Sequence, residues 1–209
     1  MKGEISVKKH LTALLFTLAV SITLAGCMSK MKYPNYYTLN LPPAPDPPAQ
    51  EGVRTSLAIR EFRSPVYLRQ GPIVYRATPE QIGFYEYHRW AVDPRVFVTN
   101  TVADRLRASG NFAQVTIYDG HSDVDYLLTG RLEKLEEVDY EGGVKVEVAI
   151  SAQMTRITTG ATVWSNSVSE TGTVAQRDVP AVVSEMNHTM DRAMAKLLTP
   201  APSVTAKGN

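Results

Sequence analysis

The chain has 209 residues, 44% of them hydrophobic and 21% charged, which fits one globular domain with tails. Its net charge is +1, but the first 26 residues carry Lys2, Lys8 and Lys9 against Glu4, so the remainder stands at −1. A body that close to neutral has no basic field with which to collect nucleic acid, and a single cysteine, Cys27, excludes a disulfide framework.

In chain order, the basic stretch MKGEISVKKH is followed by the apolar run LTALLFTLAVSITLA and the small residues Ala25 and Gly26. That order predicts a secretory signal peptide over residues 1–26. About 15 apolar residues fall short of the roughly 20 a membrane-spanning helix needs. Leu24-Ala25-Gly26-Cys27 resembles the lipobox of bacterial lipoproteins. The resemblance implies cleavage between Gly26 and Cys27, a diacylglyceryl group on the sulfur and an acyl chain on the new amine. No other cofactor is implied. Residues 27–35 then form a short tether. The eight after the cysteine reach at most about 26–29 Å when extended.

The domain proper is expected over residues 36–199. Tyr36–Leu39 reads as a strand, and a Pro-rich loop over 41–52 reads as extended and exposed. Strands follow at 57–62, 73–76 and 82–90. Asp93-Pro94 caps a helix that runs to Ser109, with Val98, Val102 and Leu106 on one face and Gly110 closing it. Strands are predicted at 112–118 and 126–138, then a turn at Glu141-Gly142-Gly143. In the strand from Val144 to Thr155, Val144, Val146, Val148, Ile150, Ala152 and Met154 point one way and Lys145, Glu147, Ala149, Ser151, Gln153 and Thr155 the other. Thr159-Gly160 turns into a strand over 161–171. Asp178 caps a last helix with Val182, Met186, Met190, Ala193, Met194 and Leu197 in its apolar stripe. Residues 200–209 read as a disordered tail. The expected fold is α+β with two layers. It is a mixed, largely antiparallel sheet of about six or seven strands with two long helices packed on one face.

The sequence has no G-x-S-x-G, no Walker loop, no dinucleotide fingerprint and no H-E-x-x-H. The loop Asp119–Asp125 groups possible metal ligands but departs from the EF-hand pattern, and a solvated connection accounts for it equally well. Glu136 and Glu137 are neighbours on a strand and so point to opposite faces, a poor geometry for shared acid–base work. Neither a catalytic residue nor a metal site is expected, and the chain does not read as an enzyme. The densest aromatic stretch runs from Ile73 to Pro94. Strict alternation places Ile82, Phe84 and Trp90 on one face and Tyr85, Tyr87 and Arg89 on the other. Either the strand is central and packed on both sides, or Tyr85, Tyr87 and Arg89 contact a partner or lipid.

The chain resembles the ABC-type transport auxiliary lipoproteins, a family that includes the PqiC-like lipoproteins. The resemblance rests on the lipobox at Cys27, on Tyr36-Tyr37-Thr38-Leu39, and on Val66-Tyr67-Leu68 leading to Ile73-Val74-Tyr75-Arg76. It continues through His88-Arg89-Trp90-Ala91 and Asp125-Tyr126-Leu127-Leu128-Thr129-Gly130. It implies a non-enzymatic envelope component that works with an ABC transporter and an MCE-domain protein bridging the periplasm. Such systems move lipids or other hydrophobic compounds between membranes. Met28, rather than Asp, after the cysteine implies attachment to the outer membrane, facing the periplasm. The implied partners are the membrane through its lipid anchor, the MCE-domain protein and the ABC transporter components. Contact with lipid and homo-oligomerisation are left open. The alternatives are an accessory to lipopolysaccharide or outer-membrane protein assembly and a periplasmic metal-dependent hydrolase.

Overall fold

The alternating run that the sequence shows most clearly becomes the middle of a three-stranded meander, and the rest of the chain is built around it. The computed structural model describes residues 32–46, 55–121, 123–140 and 142–202. Residues from Pro34 onward form one compact unit. The predicted signal segment and Cys27 lie outside the described residues. The elements are β1 (Asn35–Tyr37), β2 (Ser56–Ile59), a 3-10 turn (Val66–Arg69), β3 (Pro72–Arg76), β4 (Ile82–Trp90), α1 (Pro94–Ser109), β5 (Gln114–Ile117), β6 (Tyr126–Val138), β7 (Lys145–Arg156), β8 (Thr162–Thr173) and α2 (Val179–Leu197).

The helix ends follow from local chemistry. The Asp93 side chain accepts from the Arg95 amide at 2.9 Å, Pro94 occupies the first turn, and Gly110 closes α1 at φ 71°. Asp178 likewise accepts from the Ala181 amide at 2.8 Å to start α2. Val98, Val102 and Leu106 are fully buried on α1, as their spacing predicts.

All eight strands join one mixed sheet. The sequence pointed to six or seven; β1 and β5 are only three and four residues long and sit at its edges. Most paired residues belong to the antiparallel pairs β3–β4, β6–β7 and β7–β8. The spine is β6. One of its edges pairs along its whole length with β7. The other edge is shared between two parallel strands: β2 against Tyr126–Leu128 and β3 against Glu137–Val138.

Both helices cover the same face. Val146, Val148, Ile150 and Met154 of β7 are buried under Met186, Met190 and Met194 of α2, and Arg105 of α1 forms an ion pair with Asp191 of α2. The methionine stripe is therefore core. Gly172 of β8 lets α2 settle closely, since a Cβ there would strike the Glu185 and Thr189 side chains. Two segments read as loose from the sequence are tied to this layer. Leu39 is buried, Leu41 packs on the core, and the Asn40 amide donates to the Asn187 side chain, which fixes the start of the Pro-rich stretch. At the other terminus, Trp164 Nε1 donates to the Pro200 carbonyl at 3.2 Å and Asn111 Nδ2 to the Pro202 carbonyl at 3.1 Å.

Candidate functional site

Tyr85, Tyr87 and Arg89 all lie on β4. Over 88–90 this strand is flanked by β1, but over 82–87 only β3 pairs with it among the described residues. It is thus an edge strand for most of its length rather than a central one. The strict alternation expected from the sequence also breaks. Pro72 pairs with Arg89 and Val74 with Phe84, so two steps along β3 span five along β4. The irregularity falls after Phe84, since Ile82, Gly83 and Phe84 pair in step with Arg76, Tyr75 and Val74. Its odd offset moves Arg89 to the face of Phe84 and Trp90 to the other. Tyr85 and Ile82 pack on the core, whereas Phe84 is 40% exposed. The Tyr85 ring contacts those of Tyr75 and His88, at 5.1 and 5.7 Å between centroids. Its hydroxyl donates to Glu137 Oε2 at 2.7 Å. Burial, together with that carboxylate, holds the Tyr85 hydroxyl well above the ordinary tyrosine range. Burial also raises the Glu137 carboxyl, partly offset by the hydrogen bond it receives. Tyr87 and Arg89 are half-buried, and the Tyr87 hydroxyl is raised by its bond to Glu86.

Glu136 and Glu137 do diverge to opposite faces, and both are buried. Glu136, fully enclosed, receives Arg76 Nε at 2.8 Å and Nη2 at 3.1 Å. This fork keeps a buried charge paired. Glu136 is thus bound by Arg76, and Glu137 by Tyr85.

A concavity lies on the face of the sheet opposite the helices. A groove of about 800 Å³ is floored by Thr129, Ser151, Gln153, Ser165 and Ser167 from three adjacent strands, and Arg60, Arg63 and Arg131 stand around it. Its position depends on how the chain leaves β2. The Arg60 amide donates to the Leu128 carbonyl, the Arg63 amide to that of Gly130, and the Leu132 amide to that of Arg63, all at 2.8–2.9 Å. Between them Phe62 turns inward, and a Cβ on Gly130 would sit within its ring. The crossing makes Arg63 and Arg131 direct bridge partners. Arg60 lies over the Tyr118 ring at 5.1 Å. The one acid in the lining, Glu61, is held by Arg95 at 3.1 Å. Nothing in the sequence predicted this groove. The serines alternating along β8 and the polar side of β7 are legible, but the approach of two arginines 68 residues apart is not.

The Asp119–Asp125 loop has local work to do. Asp125 Oδ2 accepts from the Ser56 amide and hydroxyl at 2.7 and 2.8 Å, which lowers its carboxyl, and Asp119 Oδ1 accepts from the His121 amide. Among the described residues, no three His, Cys, Asp or Glu side chains converge as a metal-ligand set. No described helix is long and apolar enough to cross a membrane.

Comparison with solved structures finds a Xanthomonas campestris protein of the DUF330 family at TM-score 0.68 and 18% identity, covering 78% of this chain and 92% of that one. A second match, to an uncharacterized protein, has TM-score 0.61 and 15% identity over 80% and 98% of the two chains. A PelC dodecamer from Paraburkholderia phytofirmans matches at TM-score 0.47 and 20% identity over 75% and 93%. Comparison with curated proteins returned no match. The sequence family described as "ABC-type transport auxiliary lipoprotein component" matches residues 37–197, running from the end of β1 to the last residue of α2. The chain belongs to the family of ABC-type transport auxiliary lipoprotein components.

Proposed function

We propose that this protein is a non-enzymatic auxiliary of an ABC and MCE-type system that carries lipids or other hydrophobic compounds between membranes, anchored to the outer membrane by acyl chains on Cys27 and facing the periplasm. The observation that carries the reading is the family match over residues 37–197, with Leu24-Ala25-Gly26-Cys27 a short distance upstream. The polar chemistry inside the domain agrees with it: the buried carboxylates are engaged by Arg76 and Tyr85 rather than aimed into a cleft. Partner contact is proposed on β4 at Tyr85, Tyr87 and Arg89. What supports it is the edge over 82–87, which bears no second strand among the described residues, with Phe84 exposed beside it.

The test is membrane fractionation of Cys27→Ala beside crosslinking of the wild-type chain in cells through a photoreactive residue at Tyr87. Loss of the variant from the outer membrane, with capture of an MCE-domain protein by the wild type, is expected. Capture of an outer-membrane barrel and no transport component would overturn the transport reading in favour of an assembly accessory.

A further inference from the structure

Arg63 and Arg131 are placed where a sheet tolerates like charges least. Side chains of bridge partners leave the sheet on the same side, and like charges directly opposite one another repel. The backbone prevents escape, because hydrogen bonds on both sides of Arg63 lock it to β6. Among the described residues, neither guanidinium forms an ion pair. Arg60 completes a triad of positive charge on the same groove; of the acids there, Glu61 is taken by Arg95 and Glu133 accepts from the Ser151 hydroxyl at 2.6 Å. The three arginines outnumber the acids around them, which leaves a surplus of positive charge for a ligand to balance.

We propose that this groove binds a phosphate-bearing ligand, with Arg63 and Arg131 clasping the oxyanion and Arg60 closing over it. Guanidinium forks match phosphate oxygens in pairs, and neighbouring strands stand about 4.8 Å apart, so both forks can reach one group. The floor suits the same chemistry. Thr129, Ser165 and Ser167 present hydroxyls free to donate, and no large apolar side chain lines the groove. An acidic peptide fits less well. Of β6, β7 and β8, only β8 has an edge that no strand pairs among the described residues, two strands away from Arg131, so a main chain laddered there would run clear of the arginine pair. The proposal is independent of the transport reading, because it rests on the groove alone.

Calorimetric titration of the full chain in neutral detergent tests it. The probes are inorganic phosphate, glycerol 3-phosphate, dihexanoyl phosphatidic acid and a poly-glutamate peptide. The phosphate probes should bind, with affinity falling as salt rises. Arg63→Gln and Arg131→Gln should each weaken binding at least tenfold, while Arg177→Gln, on an exposed loop, should leave it unchanged. The altered arginines are exposed, so a thermal melt matching wild type separates lost binding from lost fold. Tighter binding of the glycerol-linked probes than of inorganic phosphate would identify a lipid headgroup as the source, whereas equal binding would identify phosphate itself. The proposal is overturned if no phosphate probe binds, if both arginine variants bind as wild type does, or if poly-glutamate alone binds.

Discussion

Along β7, Val146, Val148, Ile150, Ala152 and Met154 turn toward the helices and are buried, whereas Glu147, Ser151 and Gln153 turn the other way and keep contact with water. On β8 the helix-facing Trp164, Asn166 and Glu170 bond to the α2 region and the chain after it, while the alternate Ser165 and Ser167 floor the groove. One backbone thus carries two chemistries at a period of two. The helix side holds the fold together through apolar burial. The open side is held by scattered polar bonds, Glu147 with Lys134 and Ser169 and Ser151 with Glu133, so a side chain between them such as Gln153 can change at small cost to stability. At one end this division fails, since Glu136 lies buried on the open side and needs Arg76.

The comparison is tested most severely by Ile150→Ala against Gln153→Ala. The first should cost about 2–5 kcal/mol of unfolding free energy by urea titration and the second less than about 0.5 kcal/mol. Equal losses would show that the two faces do not differ as described. Glu136→Ala marks the exception. Removing one partner of an enclosed pair leaves the Arg76 charge uncompensated, and a loss of about 3 kcal/mol is expected from the same measurement. Glu137→Gln sharpens the picture through pH. The carboxyl of Glu137 is raised in the folded chain, so the native state holds its proton longer than the unfolded state does. Wild-type stability therefore declines as pH rises from the ordinary glutamate value of 4.5 through the raised one. The amide keeps an acceptor for the Tyr85 hydroxyl. The variant should match wild type in acid and exceed it near neutrality by at most about 1 kcal/mol, read from denaturation across pH. Smallest of all, Arg63→Gln should leave stability unchanged or raise it by about 0.3 kcal/mol, because it relieves repulsion with Arg131. A clear loss in a thermal melt would mean that Arg63 supports the fold.

Signals confined to a few neighbouring residues carried much of this architecture. Strands 82–90 and 126–138 and the helix from Pro94 to Ser109 fall on the boundaries predicted from alternation, caps and breakers. The two faces of β7 were legible for the same reason, since burial on one side imposes period two. Irregular backbone defeated the reading. The register shift between β3 and β4 puts Arg89 on the face of Phe84 and turns Trp90 to the other, and no local preference announces it. The groove was hidden for a related reason. It requires Arg63 to meet Arg131, and that register is set by Phe62 filling the space over Gly130. Pairings between distant segments depend on tertiary packing that a single sequence does not display.

The double use of one edge of β6 also sets an order of assembly. β6, β7 and β8 follow one another closely in the chain and can pair as soon as they meet. β2 and β3, by contrast, each find their parallel partner some 60–70 residues further along the chain. Contacts of such long range form late, because a large loop must close first. The C-terminal meander is the template, and the N-terminal half of the domain is recruited onto it. A chain cut before Tyr126 would lose three strands by count, yet it would also leave β2 joined to β5 alone and β3 without a neighbour on its inner side.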